Sequence, residues 1–400
     1  MTLGFASRAS SLAIASGLLV AGCMAGENTA SKTDPGTGTD VVAAGSDDGA
    51  DTGGGGSNVT SLLTVTDLAS DQAGQALNVG GGLMNAWGIV SFNGMLWVAN
   101  EGSGKVSIFD GEGKAAVAMP DKPGMIASDS LDLGEGITGI AVNDMAKPDD
   151  KRFQIHMDNG VCQPAQLIFA STKGMLIGVN PDLSTTKGFT LVDRSGSQAA
   201  YLGVAVVHGA NGPMVLAADF HNGVIDVFDA NFQMGTGVSF VNKEIPADFA
   251  PFNVMAFGDI VYVTYAQQDE DKMEEVTGPG LGFVAAFDTS GKMLWTLKSD
   301  SFNAPWGMAI AKDFGPFPGA LLVGNFGDGH ITAIDAKEMK VLGQLMMSAT
   351  APVEIDGLWG LTFGDGVASA RAGLYFAAGP DDEMHGLFGV ITAATNPPPK

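Results

Sequence analysis

Three histidines in this sequence each follow a carboxylate by two residues, in turns rich in Asn, Asp and Gly. The pairs are Asp219 and His221, Asp328 and His330, and Glu383 and His385. Imidazole and carboxylate groups are usual ligands of Zn²⁺, and carboxylates with amide oxygens suit Ca²⁺. A metal held in this way activates water for hydrolysis or supports a lyase. The pattern makes Ca²⁺ or Zn²⁺ a candidate cofactor, with a ligand set of Asp219, His221, His330 and His385.

The same residues have a simpler interpretation, because Asn, Asp and Gly are the residues that tight turns between strands require. His221 precedes its turn glycine by two residues, whereas His330 directly follows its own. The histidines therefore do not occupy equivalent positions, which argues against a symmetric metal site. The positions that do correspond predict a repeated role at strand ends, and they are Asn100, Asp219 and Asn325.

These turns belong to six imperfect copies of one unit, best defined between Asn303 and Asp335. Each copy opens on a short apolar strand whose third residue is Gly88, Gly139, Gly203, Asn253, Gly307 or Gly360. Those positions are 51, 64, 50, 54 and 53 residues apart. Short strands repeated at such periods are typical of propeller blades. We therefore predict an all-β, six-bladed β-propeller of four-stranded blades over residues 59–393.

The outer strands of the blades are predicted from apolar runs between turn residues. In the first copy this places the fourth strand at Ala115–Met119, and in the third copy at Val238–Val241. The last copy lacks one strand, and the N-terminal run Ser61–Ala69 is free to supply it. We predict that this run closes the last blade, since closure removes exposed sheet edges.

Glycine at the third position predicts close approach of backbones around the ring axis. The preceding residue is usually large and apolar, as in Trp87, Trp306 and Trp359. We expect these side chains to wedge between blades as core residues.

In a propeller, the entry to the innermost strand and the turn between the second and third strands lie on one face. Polar residues at these turns are therefore predicted to converge around one mouth of the central channel. The candidate ligand-binding set is Asn100, Glu101, Asp219, His221, Asn325, Asp328, His330, Asp381, Asp382 and His385. The acidic loop Asp269–Glu275 is interpreted as a solvated excursion. The insertion Asp144–Gln166 is the runner-up binding element, because insertions on a scaffold often carry binding.

The first 23 residues are typical of a targeting signal, with a short apolar run at Leu12–Val20. The run ends in Val20-Ala21-Gly22-Cys23, a pattern similar to a bacterial lipobox, in which the cysteine is lipidated. The alternative is an ordinary signal peptide with an incidental cysteine. Residues 24–58 are predicted to be a disordered linker rich in Gly, Ser, Thr and Asp, and residues 394–400 a tail. This organisation predicts a lipid-anchored cell-envelope protein facing the periplasm or outer membrane.

The net charge of the chain limits the classes of partner that it can bind. The chain carries a formal charge of −24, which repels phosphate backbones and disfavours nucleic acid. A membrane contacted through the anchor, a protein ligand or a small-molecule ligand remains compatible, and we expect a monomer.

Several phrases are similar to those of a family of uncharacterised exported bacterial proteins predicted to be NHL-like β-propellers. They include Asn85–Ile89, Gly223–Asp229, Asn303–Gly307, Gly324–Gly329, Ile355–Trp359 and His385–Gly389, and the resemblance runs from about Leu62 to Ile391. It implies the fold and export but no activity. Two functions remain open: a ligand- or protein-binding module, or a metal-dependent hydrolase or lyase at the channel mouth.

Overall fold

A computed structural model describes residues 62–117, 126–147, 150–210, 212–364 and 372–393. The predictions for residues 1–23, 24–58 and 394–400 lie outside these ranges. The propeller belongs to one compact unit, to which the described residues from 62 to 156 and from 163 to 393 contribute. Within the described part of the chain, no helix is long and apolar enough to span a bilayer.

Six sheets surround a central axis, which confirms the predicted propeller. Blades are numbered by their innermost strand. Blade 1 contains Ala86–Phe92, Met95–Asn100, Lys105–Phe109 and Leu131–Asp132; blade 2 contains Ile137–Val142, Leu167–Ser171, Met175–Val179 and Phe189–Asp193; blade 3 contains Tyr201–Gly209, Gly212–Asp219 and Val224–Phe228. Blade 4 contains Phe249–Phe257, Ile260–Gln268, Gly282–Asp288 and Met293–Lys298; blade 5 contains Pro305–Ile310, Leu321–Asn325, Ile331–Asp335 and Lys340–Gln344; blade 6 contains Leu358–Phe363, Leu374–Ala378, Leu387–Ala393 and Leu63–Ser70.

Five shorter elements complete the described structure. Asn78–Val79 pairs with the N-terminal strand, and Glu275–Val276 pairs with the second strand of blade 4. Gln154–His156 and Cys162–Pro164 form a two-stranded sheet, and Ser195–Ser197 is a 3₁₀ turn.

The predicted closure of the last blade is confirmed. Leu63–Ser70 pairs antiparallel with Leu387–Ala393, so the chain's first described strand is the fourth strand of blade 6. Leu68 and Ala69 are fully buried there. The N-terminal strand therefore contributes both ladder hydrogen bonds and apolar packing to ring closure.

Two predicted outer strands are wrong. In blade 1, residues 118–119 of the predicted Ala115–Met119 lie outside the described ranges. Residues 115–117 make only an isolated bridge, from Ala115 to Phe109, and Leu131–Asp132 is the fourth strand. In blade 3, residues 238–241 form no strand. Phe240 instead packs edge-on against Phe287 of blade 4 with ring centroids 5.6 Å apart. Burying the Phe240 ring against blade 4 therefore replaces the pairing of this segment with the edge strand of blade 3.

Alternation along each strand explains why the apolar runs are nearly continuous. In the second strand of blade 4, Val261 and Val263 pack into the core shared with blade 3, whereas Tyr262 packs into the core shared with blade 5. Successive side chains point to opposite faces of a strand. Both faces of a blade meet a neighbour, so both sets must be apolar.

The innermost strands form a closed ring of close contacts, as the repeated glycines predicted. A Cβ at Gly88 would lie 2.5 Å from Thr138 O, and one at Gly139 would lie 3.0 Å from Gly203 Cα. Where glycine is replaced, Asn253 Nδ2 donates a hydrogen bond of 2.9 Å to Trp306 O. Each innermost strand therefore touches the next one directly, which holds the residues at its entry in fixed positions.

Candidate functional site: an acidic mouth over an aromatic plug

The residues before the ring glycines meet on the axis. Trp87 and Trp359 stack with centroids 3.5 Å apart, and Trp306 meets them edge-on at 5.8 and 5.6 Å. Phe252 lies 5.7 Å from Trp359. We call Trp87, Phe252, Trp306 and Trp359 the aromatic plug. The prediction that these rings are core residues is confirmed, because they form one buried cluster. Trp87 and Trp306 also meet across the axis, from blades 1 and 5, which are not neighbours.

The plug lies on the face predicted to carry the mouth. Phe326, in the turn after the second strand of blade 5, stacks on Trp359 at 4.3 Å. Phe220, in the equivalent turn of blade 3, packs on Phe252 at 5.3 Å. The entries to the innermost strands and these turns therefore share one face. Below the plug, the channel cavity between the ring glycines measures only about 20 Å³, about the space of one water.

Carboxylates from three blades converge above the plug. Glu101 follows the second strand of blade 1, Glu275 lies in the long turn of blade 4, and Glu383 lies in the turn of blade 6. Electrostatic repulsion couples Glu383 to both Glu101 and Glu275. We call these three residues the acidic mouth.

Burial raises the pKa values of Glu383 and Glu275. Burial, and to a smaller extent the negative charge of Glu101, raise the pKa of Glu383 to about 7. Burial raises the pKa of Glu275 to about 8, with a further contribution from Glu383. The interpretation of Asp269–Glu275 as a solvated excursion is therefore wrong for Glu275. The pairing of Glu275–Val276 with the second strand of blade 4 brings this residue back toward the axis.

Several polar atoms at the mouth have no hydrogen-bond partner. They are Oε1 of Glu383, Oδ1 of Asn85 and Nε1 of Trp87, Trp306 and Trp359. Asn85 Nδ2 donates to Glu101 Oε2 at 3.2 Å. Asn85 and Trp359 also face Glu383 and lower its pKa, although Glu383 Oε1 itself makes no well-formed hydrogen bond. A buried polar group left unpaired costs about 1–3 kcal/mol, so this arrangement is poor for stability alone.

Exposed methionines accompany the carboxylates. Met84 precedes Asn85, Met273 lies two residues before Glu275, and Met384 follows Glu383; they are 43%, 54% and 56% exposed. Thioether side chains are flexible and polarisable, and they are common on adaptable binding surfaces. The mouth thus combines negative charge with apolar contact area.

The three predicted histidine ligands have separate partners. His221 Nδ1 lies 3.3 Å from Lys272 O, His330 Nδ1 lies 3.7 Å from Asp328, and His385 Nδ1 lies 2.8 Å from Asp71. Across the described ranges, no group of three His, Cys, Asp or Glu side chains is arranged to hold a metal ion. The structure does not assemble the proposed ligand set of Asp219, His221, His330 and His385.

Three of the candidate residues hold turns in place, as their equivalent positions predicted. Asn100 Nδ2 donates to Lys105 O, Asn325 Nδ2 donates to Ser301 O, and Asp219 accepts hydrogen bonds from Asn222. All three are at least 98% buried. Burial also raises the pKa of Asp219.

The remaining candidates lie at the edge of the turns. Asp328 accepts from Asn325 Nδ2 and from the backbone N–H of His330. Asp381 and Asp382 are exposed and adopt left-handed backbone conformations with φ of 59° and 51°. Among the ten candidates, Glu101 alone belongs to the acidic mouth.

The insertion Asp144–Gln166 falls between the first and second strands of blade 2, and its described residues 144–147, 150–156 and 163–166 belong to the propeller unit. Phe153 and Ile155 are buried in the core with blade 3 residues, and Phe153 packs on Phe232 at 5.5 Å. The described part of the insertion therefore contributes packing rather than a wall of the mouth.

Sequence reasoning missed Glu275, Glu383 and Asn85. Glu383 was noticed only as a neighbour of His385. A usable signal was present, since Asn85 and Glu383 flank the entry and turn positions whose convergence was predicted. Glu275 gave no such signal, because only the pairing of Glu275–Val276 brings it back toward the axis.

No protein-family model matches the chain. Two uncharacterised proteins of Acanthamoeba polyphaga mimivirus are similar to it. One is 29% identical over 342 residues, covering 82% of this chain and 79% of the relative. The other is 29% identical over 320 residues, covering 77% and 80%. These relatives are viral, so the comparisons do not support the bacterial, exported part of the resemblance.

Solved structures with a similar chain course are propeller proteins. Virginiamycin B lyase from Staphylococcus aureus has a TM-score of 0.46 and 12% identity, covering 82% of this chain and 99% of that one. A gluconolactonase from Xanthomonas campestris has a TM-score of 0.44 and 14% identity, covering 72% and 87%. At this level of similarity they carry nothing about the activity of this chain.

Proposed function

We propose that this protein is a binding module whose acidic mouth takes an organic cation bearing an ammonium group. The observation that carries the proposal is the convergence of Glu101, Glu275 and Glu383 from three blades above the aromatic plug. Carboxylates attract a cation, and aromatic faces stabilise it further, by about 0.5–2 kcal/mol. Phe326, half-buried and stacked on Trp359, is the ring that is open to a ligand.

An organic cation fits better than a bare metal ion. A divalent metal needs several oxygen or nitrogen ligands at short, regular distances, and the described residues offer no such group. A quaternary ammonium group needs only negative charge and apolar surface. Met84, Met273 and Met384 supply that apolar surface at the rim.

Titration calorimetry with choline tests this proposal against a neutral carbon isostere, 3,3-dimethylbutan-1-ol. We expect choline to bind at least roughly tenfold more tightly at pH 8.5, because only it gains from the carboxylates and the ring. Glu383→Gln and Glu275→Gln should each remove most of this preference, whereas the exposed Glu338→Gln should retain it. Equal binding of the two compounds by the wild-type protein would show that the mouth does not select charge.

An acid–base hydrolase or lyase is the second candidate, and the raised pKa values of Glu383 and Glu275 favour it. A carboxyl with a pKa near neutrality holds a proton that it can deliver to a leaving group. A choline ester is the substrate that matches the proposed cation site. Hydrolysis whose kcat falls in Glu383→Gln by a much larger factor than KM rises would support catalysis. No turnover in the wild-type protein would leave only the binding module.

We further propose that the propeller is lipid-anchored at the cell envelope through Cys23. Support comes from the sequence alone, in the apolar run Leu12–Val20 and the small residues before Cys23. Mass spectrometry of the protein from membrane fractions is expected to find a diacylglyceryl group on an N-terminal Cys23. An unmodified Cys23 in the mature chain would refute the anchor.

A further inference from the structure

A second cavity lies between blades 3 and 4 and is lined in part by their turns, at Asn222, Gly223, Gln268 and Lys272. Its volume is about 420 Å³, within the range of roughly 300–1,000 Å³ that drug-sized ligands occupy. It is bounded by the third strand of blade 3, by residues 239–247 and by the second strand of blade 4. None of the three carboxylates of the acidic mouth lines this cavity, so its ligand is a separate question from the proposed cation.

The missing fourth strand of blade 3 creates this cavity. After Val224–Phe228 the chain turns away through Gly235 and Gly237, whose φ values are 95° and 76°. Phe240 then packs on Phe287, and Asn242 Nδ2 donates to Thr296 Oγ1 of blade 4 at 2.8 Å. The chain therefore arches over the space that a fourth strand fills in other blades.

The walls are chiefly apolar. They include Val224, Ile225, Phe240, Val241, Ile245, Pro246, Ala247, Phe249 and Pro251. Val224 and Val241 are 45% and 62% exposed, so apolar surface is open at the entrance. A mainly apolar cleft of this size favours an aliphatic or aromatic ligand.

One buried polar group lines the cavity without a partner. Tyr265 is 4% exposed, and its hydroxyl makes no hydrogen bond. Burial raises the pKa of Tyr265, so the hydroxyl keeps its proton and is a donor at neutral pH. Gln268 is already engaged, because its Nε2 donates to Phe220 O at 2.6 Å.

The lining does not select a charged ligand. Lys272 is the one charged residue among those that line the cavity. Its neighbours along the turn include Asp269, Glu270, Asp271 and Glu274, which offset its charge. A carboxylate ligand meets this acidic turn, and an ammonium ligand meets Lys272 without a carboxylate in the walls.

We propose that this cavity binds an uncharged, mainly aliphatic small molecule with one acceptor oxygen, which accepts a hydrogen bond from the Tyr265 hydroxyl. The apolar walls take the chain of the molecule, and its carbonyl or hydroxyl oxygen pairs with the buried donor.

Titration calorimetry with 2-octanone, octanoate and octylammonium on the full chain tests this inference. The ketone should bind at least roughly tenfold more tightly than either ion, because a buried charge here has no partner. Tyr265→Phe should weaken ketone binding roughly three- to tenfold through loss of one hydrogen bond. Tighter binding of either ion would overturn the proposal.

Two further variants separate cavity binding from surface adsorption. Ala247→Trp places a large ring in the cavity at an exposed position, and we expect it to abolish ketone binding. Val79→Trp adds the same ring at an exposed position outside the cavity and should bind the ketone as the wild-type protein does. Unchanged ketone binding by Ala247→Trp, or no measurable binding by the folded wild-type protein, would overturn the proposal. Glu383→Gln should leave ketone binding unchanged, so failure at the mouth and failure at this cavity are distinguishable.

Discussion

Glu383 and Glu275 show how burial sets the chemistry of single residues at this mouth. Each is a glutamate in a chain with more than twice as many acids as bases, 44 against 20, and most such acids are simply solvated. Composition therefore does not distinguish them. Their pKa values are raised because tertiary structure removes solvent and brings other carboxylates close. Glu101 was predicted at the mouth because its turn position was visible in the repeat, whereas Glu275 depends on a long turn that folds back.

We expect Glu383→Gln to stabilise the protein at pH 8 and to have little effect at pH 5. The folded-state pKa of Glu383, about 7, lies above its usual value of 4.5. The contribution of the protonated carboxyl is therefore complete below about pH 4.5 and is lost as the pH rises through about 7. The gain in free energy of unfolding at pH 8 should be on the order of 1–3 kcal/mol.

Urea unfolding at both pH values measures this effect. Glu338→Gln removes an exposed carboxylate from a turn of blade 5 and serves as the matched control. Equal effects of the two substitutions at pH 8 would mean that Glu383 is no more buried than Glu338.

Strand order and the inner ring were predictable at the level of elements, and outer strands were less so. The repeated glycine reports a geometric need that local sequence expresses directly, because any Cβ there meets the next strand. Outer strands face competing partners. The apolar run around Phe240 looks like a strand in sequence, but its ring is buried better against Phe287 than along the edge of blade 3. Whether a segment packs on its own blade or on the next one depends on tertiary contacts, and these contacts produce no repeating pattern in the sequence.

Gly88→Ala should destabilise the propeller by about 1–3 kcal/mol, the usual cost of overpacking. The added Cβ would lie 2.5 Å from Thr138 O and 3.0 Å from Ile140 N, both backbone atoms that cannot move without shifting blade 2. Gly81→Ala is the control, since nothing lies within 4 Å of its added Cβ. Thermal unfolding should show a lower Tm only for Gly88→Ala; similar Tm values would mean that the ring tolerates a side chain.

At the scale of the whole propeller, the aromatic plug blocks the central channel, so a ligand near the axis binds on the face that carries the acidic mouth. Closure was predictable because the last repeat visibly lacked a strand. The plug was not, since the sequence showed the tryptophans but not that they meet across the axis. The rings of Trp87, Trp306 and Trp359 meet there and block the channel. The carboxylates of the acidic mouth therefore lie above a closed surface and not above an open channel. The charge of −24 adds long-range attraction for cations, which salt weakens.

The most direct measurement is the pH dependence of choline binding between pH 5.5 and pH 9. Glu383 and Glu275 lose protons with pKa values of about 7 and about 8, so the affinity should rise across this interval. Glu383→Gln should reduce the total rise and move the remaining part, due to Glu275, to lower pH, because the charge of Glu383 no longer raises the pKa of Glu275. A choline affinity that stays constant from pH 5.5 to pH 9, or that falls, would contradict cation binding at the acidic mouth.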